Sequence, residues 1–130
     1  MSAETEHKNA DKVIACAIAR DIEAFDLLIE DMETEFDENW GALTFEAAEA
    51  ALNSEIGKDL KLVTIAVDKE DENDLTPVAN AIRAASDKGI KVILIPNDLN
   101  TVALHQLRRM GCDDFAPYPL PEGALHDAIE

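Results

Sequence analysis

The chain has 130 residues, 47% of them hydrophobic, with a formal net charge of -17. That is enough apolar material for one domain with a real core, and too much for a disordered acidic tail. A polyanion of this kind repels DNA, RNA and anionic membrane surfaces, so nucleic-acid binding is not expected and any charged partner should be basic.

Residues 1–11 read as a loose leader, without a signal-peptide core in MSAETEHKNADK. KVIACAIA (12–19) is short, apolar and β-branched at Val13, Ile14 and Ile18, as a buried strand would be. In RDIEAFDLLIEDMETEF, Ile22, Phe25, Ile29, Met32 and Phe36 recur at spacings of three and four, one stripe of a helix. WGALTF (40–45) is a weak second strand. EAAEAALNSEIG is a helix with Phe45, Ala48, Leu52 and Ile56 on one side, ending at Gly57.

LKLVTIAVD (60–68) is a third strand, apolar enough to be buried on both faces. A helix follows over 73–88, with Leu75, Val78, Ile82 and Ala85 inward and Gly89 at its C-terminal end. IKVILIP is a fourth strand. NTVALHQLRRMG is a helix closed by Gly111, DDFAPYPL a fifth strand or extended run, and PEGALHDAIE a last helix with Pro121 near its first turn. That helix stops at Glu130 after about two turns, too short to cover a sheet alone, so a longer chain is expected.

Strands alternating with amphipathic helices predict one α/β domain over 12–130, a parallel sheet covered on both faces. The functional crevice of such a sheet lies beyond the carboxyl ends of its strands. Here that edge carries 19–21, 68–71, 96–98 and 118–120. Cys16 and Cys112 lack metal-ligand spacing and read as buried reduced thiols of a cytoplasmic protein. No apolar run reaches the 18 residues of a membrane span, and no phosphate-binding glycine loop or nucleophile elbow occurs. His7, His105 and His126 read as surface histidines. No cofactor or metal is expected.

AVDKEDENDL (66–75) raises the sharpest question, because five of the seven residues at 68–74 are acids at the end of a buried strand. An EF-hand is excluded: Asn73 stands where its glycine belongs and Ala79 where its last glutamate belongs.

IKVILIPNDLNTVALHQLRRMGCDDFAPYPLPEGALHDAI resembles the last two strands and helices of a response-regulator receiver domain. Its MGCDDFAPYPLPEGAL stretch is similar to the usual helix end, Met/Leu-Gly-Ala, Asp-Asp-aromatic, then Lys-Pro. The match is good from about residue 58 to 130 and weak over 12–57. More narrowly, the chain resembles the atypical receiver at the N-terminus of CpaE/TadZ pilus-assembly proteins. In that family a MinD-type P-loop ATPase follows, and the proteins act at the cell pole in building Flp/Tad pili. The resemblance implies a CheY-like, flavodoxin-like doubly wound sheet of five parallel strands in order 2-1-3-4-5. It also implies a following ATPase domain, and a cytoplasmic protein brought to the pole or a membrane by partners.

Receiver phosphorylation requires two acids after the first strand to hold Mg²⁺, an Asp nucleophile after the third, a hydroxyl after the fourth and a Lys after the fifth. Here Ala17 and Ile18 stand for the acidic pair, with Asp21 the nearest acid. Pro96 or Asn97 replaces the hydroxyl, and Tyr118 replaces the Lys before Pro119. A phenol supplies no positive charge, and Mg²⁺ without its carboxylates is poorly held. Spacing back from Tyr118 makes Asp68 the acceptor candidate, whereas reading forward from KDLKLVT puts Thr64 there.

The acidic stretch therefore reads as a solvated loop, and the chain as a non-catalytic interaction module rather than an enzyme. The alternatives are a phosphorylatable receiver using Asp68 and a small flavodoxin-like ligand-binding domain or enzyme. In receivers the face of the fourth helix, fifth strand and fifth helix commonly binds partners. Here it would comprise Leu104, His105, Arg108, Phe115 and Tyr118, and would serve protein partners or a homodimer.

Overall fold

The computed structural model describes residues 13–54, 59–121 and 123–129. The expected leader, His7, the helix end at Ile56 and Gly57, and Glu130 lie outside the described residues. Five strands form the sheet: β1 Ala15–Ile18, β2 Trp40–Leu43, β3 Leu62–Val67, β4 Lys91–Pro96 and β5 Asp114–Phe115. They are ordered β2-β1-β3-β4-β5, and every neighbouring pair is parallel. The α-helices are α1 Asp26–Phe36, α2 Phe45–Leu52, α3 Thr76–Asp87, α4 Thr101–Arg108 and α5 Ala124–Ile129. This is the CheY-like arrangement expected from the sequence.

Side chains that alternate along a strand divide the core into two layers. Ile18, Val63, Ile65, Val67, Val92 and Leu94 pack with residues of α2, α3 and α4. Ala15, Ala17, Leu62, Ala66, Ile93 and Ile95 pack on the other face with Phe25, Leu28, Met32 and Leu125 of the α1 and α5 side. All six residues of β3 are buried, which is why its sequence shows no polar alternation. Thr64 is fully buried at mid-strand, its hydroxyl donating to the Cys16 carbonyl at 3.5 Å. It is therefore remote from the carboxyl edge, and Asp68 is the residue that emerges there.

Two elements differ from the sequence reading. The first helix opens with a 3-10 turn, Ile22–Phe25, before α1 begins. Three residues per turn advance the phase, so Leu28 is buried and Ile29 is only half-buried. The helix expected over 73–88 begins at Thr76, and a separate 3-10 turn, Lys69–Asn73, occupies the acidic stretch. Gly89 and Gly111, at φ +74 and +106, follow α3 and α4 in backbone that disfavours a side chain. The sheet order separates Cys16 from Cys112, and both remain thiols, pushed up to about 11 chiefly by burial.

Candidate functional site

The carboxyl ends of β1 and β3 bring Arg20 and Asp68 together. Asp68 caps the 3-10 turn at Lys69–Asn73: its Oδ1 accepts the Glu70 N–H at 3.0 Å. Asp71 returns the bond, its Oδ2 accepting the Asp68 N–H at 2.9 Å. This reciprocal capping box satisfies two backbone donors that a short helical turn leaves open.

Arg20 reaches this turn from the end of β1. Its Nη2 lies 3.1 Å from Asp68 Oδ2, 3.3 Å from Asp68 Oδ1 and 2.8 Å from Glu70 Oε2, and its Nε lies 3.4 Å from Asp71 Oδ1. The Arg20 side chain is 43% exposed and Glu70 77%, but Asp68 is 17% and Asp71 only 7% exposed. The hydrogen bond to Asp68 is the main reason Arg20 is held above the ordinary guanidinium range; burial opposes it, and the three acidic charges add to it. Burial pushes the Asp71 carboxyl up, while its bond from the Asp68 N–H draws it down; Asp68's charge raises it and Arg20's lowers it.

The other acids of the stretch are also engaged. Glu72 accepts the Asn100 N–H, and Asn100 in turn caps α4 through the Ala103 N–H at 2.7 Å. Asp74 accepts the Thr76 N–H at 3.1 Å, which lowers its pKa. The acidic stretch is thus not a simple solvated loop. Each of its five acids closes a bond to Arg20 or to a backbone N–H.

The remaining receiver positions lie along the same edge. Ala17 and Ile18 are buried within β1, so the residues that emerge where an acidic pair would stand are Arg20 and Asp21. Asp21 is occupied in capping its own turn, accepting the Glu23 N–H at 3.2 Å. Pro96 ends β4, its carbonyl accepting the Tyr118 N–H, and the Asn97 N–H continues the ladder to the Val67 carbonyl. The Tyr118 hydroxyl accepts the Leu27 N–H at 3.1 Å and lies 3.5 Å from Asp26 Oδ1. Its ring meets Phe25 edge-on, centroids 5.0 Å apart at 80°. Burial raises its pKa, the Leu27 N–H opposes that, and the Asp26 charge adds to it.

Tyr118 therefore belongs to the α1 side, apart from the other residues assigned to the interaction face. Leu104 and Phe115 pack against the α2–α3–α4 layer, whereas Tyr118 packs against the α1–α5 layer. The Arg108 guanidinium lies 5.1 Å from the Phe115 ring centroid, at the distance of a cation–π contact. His105 is exposed. Phe115 belongs to β5, whereas Tyr118 lies beyond the end of that strand, where its hydroxyl bond to Leu27 and its edge-on contact with Phe25 hold it on the α1 side.

Arg20 was not singled out in the sequence, although DKED carries the signature of a capping box, an acid followed three residues later by another. That signature predicts an ordered turn; it says nothing of a partner 48 residues away. An open crevice of about 390 Å³ lies beside Arg20, lined in part by Phe45, Glu46, Asp71 and Pro77. Among the described residues, no group of three His, Cys, Asp or Glu side chains is placed so as to hold a metal ion, and no helix is long and apolar enough to cross a membrane.

No family model matches the chain, and no curated protein matches it. Solved structures do. A response-regulator receiver protein from Pseudomonas putida superposes with a TM-score of 0.63 at 16% identity, covering 91% of this chain and 95% of that one. A putative pilus assembly protein, CpaE, from Burkholderia thailandensis gives 0.63 at 17% identity, covering 90% and 94%. A pilus assembly protein CpaE from Caulobacter crescentus gives 0.58 at 15% identity, covering 92% of each chain. Likeness at this identity shows the fold: the described chain has the fold of a response-regulator receiver domain.

Proposed function

We propose that this chain is a receiver-like module that acts by binding other proteins, without phosphoryl transfer, in pilus assembly of the CpaE/TadZ kind. The observation that carries the reading is the ion cluster on Asp68. A phosphoacceptor needs carboxylates beside it to hold Mg²⁺ and a cation to receive the phosphoryl oxygens. Here a guanidinium occupies both oxygens of Asp68, and the residue expected to be a Lys is a phenol bonded to α1.

The pilus setting draws support from the CpaE proteins of like fold and from the receiver-like ending of the sequence. In that setting a P-loop ATPase domain follows the module, no cofactor is used, and protein partners bring the cytoplasmic chain to the pole or a membrane. Homodimerisation is assigned to α4, β5 and α5, through Leu104, His105, Arg108 and Phe115, with Tyr118 now left out.

Incubation with acetyl phosphate and Mg²⁺, followed by intact-mass measurement, tests the chemistry. The mass is expected to stay unchanged. A stable adduct at Asp68 would overturn the proposal in favour of a working receiver. For the surface, sedimentation should show weaker self-association for Arg108→Glu than for wild type. Equal dimerisation of the two would move the interface elsewhere.

A further inference from the structure

We propose that Arg20 is a tethered cation that holds the β3–α3 loop closed and makes its conformation independent of free divalent metal. The inference rests on the proposal that the domain works without phosphate chemistry, and it concerns how the same site is kept in one state.

Three carboxylates from one short turn converge on a single guanidinium, with every N–O distance between 2.8 and 3.4 Å. Without a cation, Asp68 and Asp71 would be like charges in poorly solvated positions, which disfavours both carboxylates. An external cation would have to be captured from solution. Arg20 is delivered by the fold instead. Ala19, next to it, is buried, and its N–H donates to the Leu43 carbonyl at 3.1 Å. The end of β1 is thereby fixed between β2 and β3, and the guanidinium is held at high effective concentration over the turn.

The polar groups around it support exclusive occupation. Asp68 Oδ1 already accepts the Glu70 N–H, and Asp71 Oδ2 already accepts the Asp68 N–H. Arg20 takes the other oxygen of each and shares Oδ1 of Asp68. A divalent ion would compete for these lone pairs while facing the repulsion of the guanidinium. On its far side the turn is held by Glu72 on the Asn100 N–H, so the loop is pinned to β1 at one end and to α4 at the other. The positive charge that the fifth strand lacks at Tyr118 is thus supplied from the first strand.

The test uses the full chain as wild type, Arg20→Met and Arg20→Lys, each checked by far-UV circular dichroism. The readouts are amide hydrogen exchange over 68–74 and line broadening by Mn²⁺ at millimolar concentration. Wild type is expected to show protected amides at Asp68 and Asp71 and no selective Mn²⁺ broadening there. Arg20→Met should lose protection at these amides by about tenfold or more. Added Mn²⁺ should restore part of it and broaden the loop, and Arg20→Lys should lie between the two. Selective Mn²⁺ broadening of the wild-type loop would overturn the inference. So would unchanged protection in Arg20→Met, and a misfolded Met variant leaves Arg20→Lys and the wild-type arm to decide. An acetyl-phosphate adduct on wild-type Asp68 is the separate failure of the functional proposal and is read by mass alone.

Discussion

At the β1–β3 end of the carboxyl edge, one guanidinium sits among three carboxylates and short capping bonds complete the turn. At the β5 end, Tyr118 lies edge-on to Phe25 and closes the first turn of α1 with its hydroxyl. Both ends do the same structural job of joining a loop to a neighbouring element. The first does it with charge near solvent, where each contact contributes little and salt weakens it. The second does it with buried aromatic area and one neutral hydrogen bond, which salt leaves largely untouched. A receiver places its reactive groups along this whole edge. In this chain both ends are closed by contacts of the protein with itself.

The contrast can be broken most strongly on the aromatic side. Phe25 is 2% exposed and packs with Leu28, Met32 and Tyr118. Phe25→Ala should cost about 3–5 kcal/mol of unfolding free energy in urea denaturation, through lost burial and the cavity left behind. A loss under about 1 kcal/mol would mean that α1 can collapse onto the sheet without it.

On the charged side, Arg20→Gln should cost only about 1 kcal/mol, because the guanidinium is 43% exposed and its pairing with Glu70 is screened. The wild-type advantage over this variant should shrink as salt is raised towards about 1 M, where the screening length is a few ångströms. The Phe25→Ala loss should not shrink. Equal salt responses of the two variants would dissolve the distinction between the ends.

Tyr118→Phe keeps the ring and removes the acceptor for the Leu27 N–H. The expected loss is about 0.5–1 kcal/mol, since that helix-terminal donor can turn to water.

The smallest effects are pH-dependent and opposite in sign at two acids of one loop. Asp71 has its pKa raised above 3.8 in the folded state, chiefly by burial. It binds its proton more tightly when folded, so its contribution to stability falls as pH rises from 3.8 through the folded value. Asp74 has its pKa lowered below 3.8 by its bonds to Thr76. Its contribution is present above 3.8 and is lost as pH falls through the folded value. Side-chain carboxyl NMR titration should find the Asp71 midpoint above that of Asp74, and Arg20→Gln should raise the Asp71 midpoint further. Coincident midpoints would contradict the burial assigned to Asp71.

Composition and periodicity determined the layer architecture of this chain. The nearly continuous apolar run of LVTIAV, β-branched at four of its six residues and broken only by Thr64, pointed to a strand covered on both faces, and α3 declared its inward side through Val78, Ile82 and Ala85. These signals are local and repeat along the chain. The strand ends read from the sequence likewise put Asp68, Pro96, Asn97 and Tyr118 at one edge, while the receiver-like ending left the acceptor position open between Asp68 and Thr64. What each edge residue does was decided by tertiary structure. Arg20 meets Asp68 across 48 positions only because β1 lies beside β3 with Ile18 opposite Ile65. Tyr118 leaves the Phe115 surface for Phe25 because the two project into opposite layers of the sheet. Long-range pairing carries no periodic mark in a sequence, since it depends on strand order and register, and these emerge only when the layers pack.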